Sequence, residues 1–85
     1  ALKDVPPYIL ATGEPLQYAG INSVGLRRRK FSLDVRNNIK KAYKFIYRSK
    51  LNISQAIVAI KDNLESTDEI KKILTFLNDS DRGII

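Results

Sequence analysis

Between Val35 and Ile46 the apolar residues recur at helical spacing: Val35, Ile39, Ala42, Tyr43 and Ile46 fall within about 100° of arc on a 3.6-residue period. Arg36, Lys40, Lys44 and Arg48 follow round the adjoining face, so the pattern predicts a helix with an apolar stripe backed by a basic one. Ser32 is placed to cap it, and Asp34 lies in its first turn, where negative charge is favoured. The helix should end near Ser49-Lys50. Two further stripes follow. Ile57, Ile60 and Leu64 mark another helix, with Ser54 as its expected N-cap and Ile53 and Val58 as a hydrophobic staple. Ile70, Ile73, Leu74 and Leu77 mark the last, opened by the capping-box spacing of Ser66 and Glu69. Asn78 to Arg82 should unwind it, leaving Gly83-Ile84-Ile85 as an apolar tail.

Upstream the pattern changes. Asp4-Val5-Pro6-Pro7 is an extended segment, because each proline fixes its own φ and pushes its predecessor out of the helical region. Tyr8-Ile9-Leu10-Ala11 reads as a short apolar strand, stopped by the turn signals Thr12-Gly13-Glu14-Pro15. A lone strand leaves its backbone unpaired, so its neighbour is expected from another copy or from sequence outside this chain. Asn22 then caps a short helix over Ser23-Val24-Gly25-Leu26, which runs into four consecutive cations, Arg27 to Lys30. The architecture expected is all-α: a short helix plus a three-helix antiparallel bundle, preceded by a strand-like segment.

Charge sharpens this picture. Residues 27–50 hold ten Lys/Arg against one acid, Asp34, so the whole net charge of +6 arises in one segment. Such a field concentrates anionic partners. Three adjacent arginines cannot all serve the dipole of one helix end, since consecutive helical residues point about 100° apart. At least one is expected to face an anion, and a guanidinium fork suits phosphate or carboxylate. A solvated helix end remains the plain alternative for any single one of them.

Composition limits the chemistry. Eighty-five residues make one small domain, which buries roughly 60–65% of its unfolded surface. There is no cysteine, hence no disulfide and no thiolate metal site, which fits a reducing compartment. There is no histidine, the commonest general base and metal ligand. Gly-rich phosphate loops and nucleophile elbows are missing too, as is any apolar run of eighteen residues. No signal peptide is visible, and the chain lacks an initiator methionine, as expected of a piece of something longer.

Several blocks occur in a telling order: Asp4-Val5-Pro6-Pro7-Tyr8, Ala11-Thr12-Gly13, Gly20-Ile21-Asn22 and Gly25-Leu26-Arg27-Arg28-Arg29. Phe31-Ser32, Ala42-Tyr43-Lys44, Ile46-Tyr47-Arg48-Ser49 and Arg82-Gly83-Ile84-Ile85 complete the series. Together they resemble the C-terminal region of the bacterial acyl-[acyl-carrier-protein]–UDP-N-acetylglucosamine O-acyltransferases, over nearly the whole chain. That family transfers a 3-hydroxyacyl chain from acyl carrier protein to the sugar 3-hydroxyl, the first step of lipid A synthesis, without metal or bound cofactor. Its members are cytoplasmic homotrimers of a left-handed parallel β-helix with a C-terminal helical domain.

The resemblance implies that residues 1–19 are the end of the last β-helix coil with a connecting loop, and residues 20–85 the helical domain. It implies that Asn22 and Arg28 contact UDP-N-acetylglucosamine, with Arg29 near the phosphates. It also gives the basic helix face of Arg36, Lys40 and Lys44 a use, docking the acidic acyl carrier protein. The family's base is a histidine of the β-helix, so this chain alone should be inactive. Two positions depart from the pattern. Val24 stands where an acidic residue is frequent, which removes a polar group from the nucleoside side, and Lys30 stands where glycine is frequent. Two other classes compete. A basic helical nucleic-acid-binding domain would use Ser32 to Ser49 as its recognition helix, but only Asn37 and Asn38 there suit base reading. A purely structural helical cap would bind no nucleotide.

Overall fold

The structure is a computed structural model that describes residues 4–80, 84 and 85. The elements run β1 (Ile9–Thr12), β2 (Gln17–Ile21), α1 (Ser23–Arg28), α2 (Leu33–Tyr47), α3 (Ile53–Asn63) and α4 (Asp68–Asp79). The apolar stripes meet as their spacing requires. Ile39, Ala42, Tyr43 and Ile46 of α2, Ala56 and Ile60 of α3, and Ile70, Ile73, Leu74 and Leu77 of α4 form one buried core with Leu26 of α1. Each fully buried Leu or Ile contributes about 1.5–3 kcal/mol, so this cluster is the main source of stability. α2 is the centre: it packs on both other long helices and on β2.

Helix starts differ from expectation at two caps. Asn52, not Ser54, caps α3: its side chain accepts from the Gln55 N–H at 2.8 Å, and the Gln55 side chain accepts from the Asn52 N–H at 3.0 Å. The start moves two residues upstream because Ala56 and Ile60 are the positions that must be buried. Ile53 and Val58, the expected staple, are therefore left 37% and 56% exposed. Likewise Thr67, not Ser66, caps α4, accepting from the Ile70 N–H. Ser32 caps α2 as expected, accepting from the Val35 N–H at 3.2 Å. α4 persists to Asp79, where the Ser80 hydroxyl donates to the Phe76 carbonyl at 2.8 Å. Residues 81–83 of the expected unwinding and tail lie outside the described residues.

The larger correction concerns the lead-in. β1 is not an orphan: it pairs antiparallel with β2, in register Ile9↔Ile21, Leu10↔Gly20, Ala11↔Tyr18 and Thr12↔Gln17. The fold is therefore mostly helical with a two-stranded hairpin, and not all-α. A bulge between Leu10 and Ala11 leaves Ala19 unpaired, and Gly20 beside it takes φ +131°, which a side chain would resist. β2 runs across the boundary expected between residues 19 and 20. Asp4 bridges Ile84 in parallel, and its carbonyl accepts from the Ile85 N–H, which brings the first described residue beside the last.

Aromatic packing fixes the hairpin to α2. Tyr18 of β2 stacks on Tyr47 with centroids 4.2 Å apart and on Tyr43 at 5.9 Å. The buried Tyr43 hydroxyl donates to the Pro7 carbonyl, a second link to the same helix. The Tyr47 hydroxyl is sealed from solvent and has no hydrogen-bond partner among the described residues. Tyr47→Phe should therefore be neutral or stabilising by up to about 1 kcal/mol, read as a denaturation midpoint.

The same packing predicts an alkaline weakness. Burial pushes the Tyr47 phenol up to about 12, with a smaller push from Tyr18, and burial drives Tyr43 well above the ordinary phenol range. In the unfolded chain both ionise near about 10. A raised folded pKa gives stability that is complete below about pH 10 and lost as pH rises towards about 12 and beyond. Far-UV circular dichroism against pH should show unfolding in that window. Tyr47→Phe should make its onset shallower.

Candidate functional site

α1 is six residues long and is held at both ends. At its start the Asn22 side-chain oxygen accepts from the Gly25 N–H at 3.1 Å, while the Asn22 N–H donates to the Tyr8 carbonyl at 2.8 Å. Gly25 is needed for this. A Cβ there would lie 2.6 Å from Asn22 Nδ2. In the middle, Leu26 is 2% exposed and anchors the helix to the core.

The C-terminal end is a complete Schellman turn. The Lys30 N–H donates to the Arg27 carbonyl at 2.9 Å and the Phe31 N–H to the Leu26 carbonyl at 3.1 Å. Lys30 sits in the left-handed region at φ 61°, where glycine is at ease and lysine is not. Lys30→Gly should raise stability by about 1 kcal/mol. An increased urea midpoint at unchanged slope is the expected readout.

Arg27, Arg28, Arg29 and Lys30 are all exposed, yet they differ in surroundings. Arg28 closes the last turn of α1, with no ring or carboxylate partner among the described residues. The Arg29 guanidinium lies over two rings, 5.0 Å from the Phe31 centroid and 5.8 Å from that of Tyr8. Those rings meet edge to face at 6.0 Å. Arg29, Tyr8 and Phe31 form one wall of an open cleft of about 650 Å³, and Asp68, Glu69, Lys71 and Lys72 of α4 form the other. Burial, then the Glu69 charge, raise the Tyr8 phenol pKa, and Arg29 opposes them. The phenol is therefore neutral at ordinary pH.

The structure thus brings Asn22, Arg28 and Arg29 onto one short, doubly held helix and its exit turn. It places the basic face of α2 elsewhere on the chain's own scaffold: Lys40 and Lys44 are exposed, whereas Arg36 is half-buried with its Nε shielded and unpaired among the described residues. Val24 is 59% exposed beside Asn22, offering an apolar surface where a carboxylate would offer acceptors. Tyr8, Phe31 and Glu69 were not picked out by sequence reasoning as neighbours of Arg29. The only hint was the double proline that stiffens the approach to Tyr8. No group of acidic residues among the described ones is arranged to hold a metal, and no described helix is long and apolar enough to cross a membrane.

The comparisons agree with one another. The family model described as UDP N-acetylglucosamine O-acyltransferase, domain 2, matches residues 4–85. The acyl-[acyl-carrier-protein]–UDP-N-acetylglucosamine O-acyltransferase of Thermodesulfovibrio yellowstonii is 44% identical over 82 residues, covering 96% of this chain and 32% of the relative. The enzyme of the same name from Syntrophobacter fumaroxidans is 40% identical over 83 residues, again 96% of this chain and 32% of the relative. Among solved structures, the UDP-N-acetylglucosamine acyltransferase of Bacteroides fragilis superposes with a TM-score of 0.96 at 47% identity, over 100% of this chain and 33% of that one. A structure from Acinetobacter baumannii gives 0.93 at 40% identity, over 99% of this chain and 33% of that one. The chain spans about a third of the length of the relatives it matches. With hairpin, capped α1 and helical bundle all matched, the chain belongs to the UDP-N-acetylglucosamine O-acyltransferase family and corresponds to its domain 2.

Proposed function

We propose that this chain is the sugar-nucleotide and carrier-docking part of a cytoplasmic, homotrimeric bacterial enzyme. That enzyme moves a 3-hydroxyacyl chain from acyl carrier protein to the 3-hydroxyl of UDP-N-acetylglucosamine, the first step of lipid A biosynthesis. The observation that carries the reading is the presentation of Arg28: an exposed guanidinium on a helix end fixed by two turn hydrogen bonds and one buried leucine. A diphosphate needs such a donor, and a rigid one loses little entropy on binding. Asn22 Nδ2 has no hydrogen-bond partner among the described residues and can donate while Oδ1 caps the helix. Arg29 adds a second cation one residue on.

With no histidine in the chain, the base that accepts the sugar hydroxyl proton lies in the remaining part of the protein. These residues bind and orient; they move no proton. Lys40 and Lys44, with Arg36 beside them, suit the acidic carrier protein through long-range attraction. Lys40→Glu and Lys44→Glu should each raise the KM for acylated carrier protein about three- to tenfold at low salt, with the difference shrinking at high salt. Arg36, half-buried, should respond less to added salt.

The test of the reading is acyl transfer by the purified full-length protein from acylated carrier protein to UDP-N-acetylglucosamine. The 85-residue chain should show none. Turnover by that chain alone, or none by the full-length protein, contradicts the assignment.

A further inference from the structure

We propose that Tyr8 and Phe31 are positioning residues for the sugar-nucleotide site: their rings hold the plane of the Arg29 guanidinium and leave its edge N–H groups for the diphosphate. The inference rests on the functional reading above and deepens it. Arg29 is exposed, so nothing about burial obliges its side chain to lie over the Phe31 and Tyr8 rings, 5.0 Å and 5.8 Å from their centroids. A guanidinium stacks by its face and donates from its edge, so one group serves rings and phosphate together. Asp68 and Glu69 of α4 line the same cleft and offer the cation carboxylates as an alternative. Arg29 makes no ion pair with either among the described residues and lies over the two rings instead.

Tyr8 has a second role at the same site. Its carbonyl accepts from the Asn22 N–H at the start of α1, while its ring meets Arg29 and Phe31 just past the end. One residue therefore ties both termini of the helix that carries Asn22 and Arg28. It does so at φ 69°, a conformation that a bulky side chain rarely adopts and that persists only where surrounding contacts enforce it. The Schellman turn supplies the other half of the arrangement, since it sends Phe31 back against Leu26 and sets the direction in which Arg29 leaves.

The experiment is steady-state kinetics of the full-length enzyme with UDP-N-acetylglucosamine varied. Tyr8→Leu and Phe31→Leu should each raise the KM for the sugar nucleotide about two- to fivefold. The kcat and the KM for acylated carrier protein should stay unchanged. Tyr8→Phe, which keeps the ring, should behave as the parent. Arg29→Lys keeps the charge without the plane and should also raise the KM, though less than Arg29→Ala. Adding Tyr8→Leu to Arg29→Ala should cause no further rise, because the two act through one contact. Phe31 packs against the core, so if Phe31→Leu fails to fold, the exposed-site variant Arg29→Lys and the Tyr8 pair carry the test. A parental KM in Arg29→Lys, or a Tyr8→Leu effect undiminished in Arg29→Ala, overturns the inference alone. A parental KM in Arg28→Ala overturns the underlying reading and the inference with it.

Discussion

Ile73→Asp is expected to unfold the helical bundle. Ile73 is 0% exposed in the centre of α4, with Ile70, Leu74 and Leu77 of the same face buried around it. The substitution removes about 1.5–3 kcal/mol of burial. It also places a carboxylate among the buried side chains of Ile70, Leu74 and Leu77; such burial costs several kcal/mol more, even if the group neutralises. A domain of this size holds together by only about 5–15 kcal/mol, and small ones lie near the lower end. A thermal melt followed by far-UV circular dichroism should show the helical signal lost or greatly weakened at room temperature. Ile57→Asp is the informative contrast. Its sequence spacing ranks it with Ile73, but Ile57 is only half-buried, so its cost should be about 1–2 kcal/mol. Val58→Asp, at a position 56% exposed, should change stability by less than about 0.5 kcal/mol.

That contrast marks where periodicity stops being informative. The α2 stripe was legible because Val35, Ile39, Ala42, Tyr43 and Ile46 repeat at helical spacing; the last four are buried and Val35 is half-buried. The caps of α3 and α4 were legible only to within two residues. Asn52 and Ser54, or Ser66 and Thr67, are all competent caps, and the tertiary position of the buried face chooses between them. The hairpin was missed because β2 reads Gln17-Tyr18-Ala19-Gly20-Ile21, with two weak strand formers in its centre. Its stability comes from Tyr18 stacking on Tyr43 and Tyr47, contacts that no local pattern reveals.

The site divides in the same way. Asn22 as a cap and the arginine run as its sequel are local signals, and both stand in the structure as separate facts. The left-handed Lys30 was foreshadowed only by the glycine that the family resemblance implies at this position. The Tyr8–Arg29–Phe31 cluster was not, because a strained residue of the lead-in meets a helix exit more than twenty positions later. Burial of Arg36 escaped notice for a related reason. It borders Tyr43 round the helix, at the edge of the buried stripe, so part of what the sequence alone assigns to the basic face is shielded.

The claim on which the functional account depends is that Arg28 meets the diphosphate of the sugar nucleotide. A charge-assisted guanidinium contact contributes around 1.5–3 kcal/mol, and 1.4 kcal/mol is a factor of about ten in binding. The side chain is exposed, while Leu26 and the Schellman bonds hold the helix independently of it. Its removal should therefore leave the fold intact, moving the melting temperature hardly at all. The decisive measurement is the KM for UDP-N-acetylglucosamine of full-length Arg28→Ala, taken beside its melting temperature. A KM raised about ten- to a hundredfold with an unchanged melting temperature is the predicted result. A parental KM in a folded Arg28→Ala enzyme would contradict it and leave the arginine run as a solvated helix end.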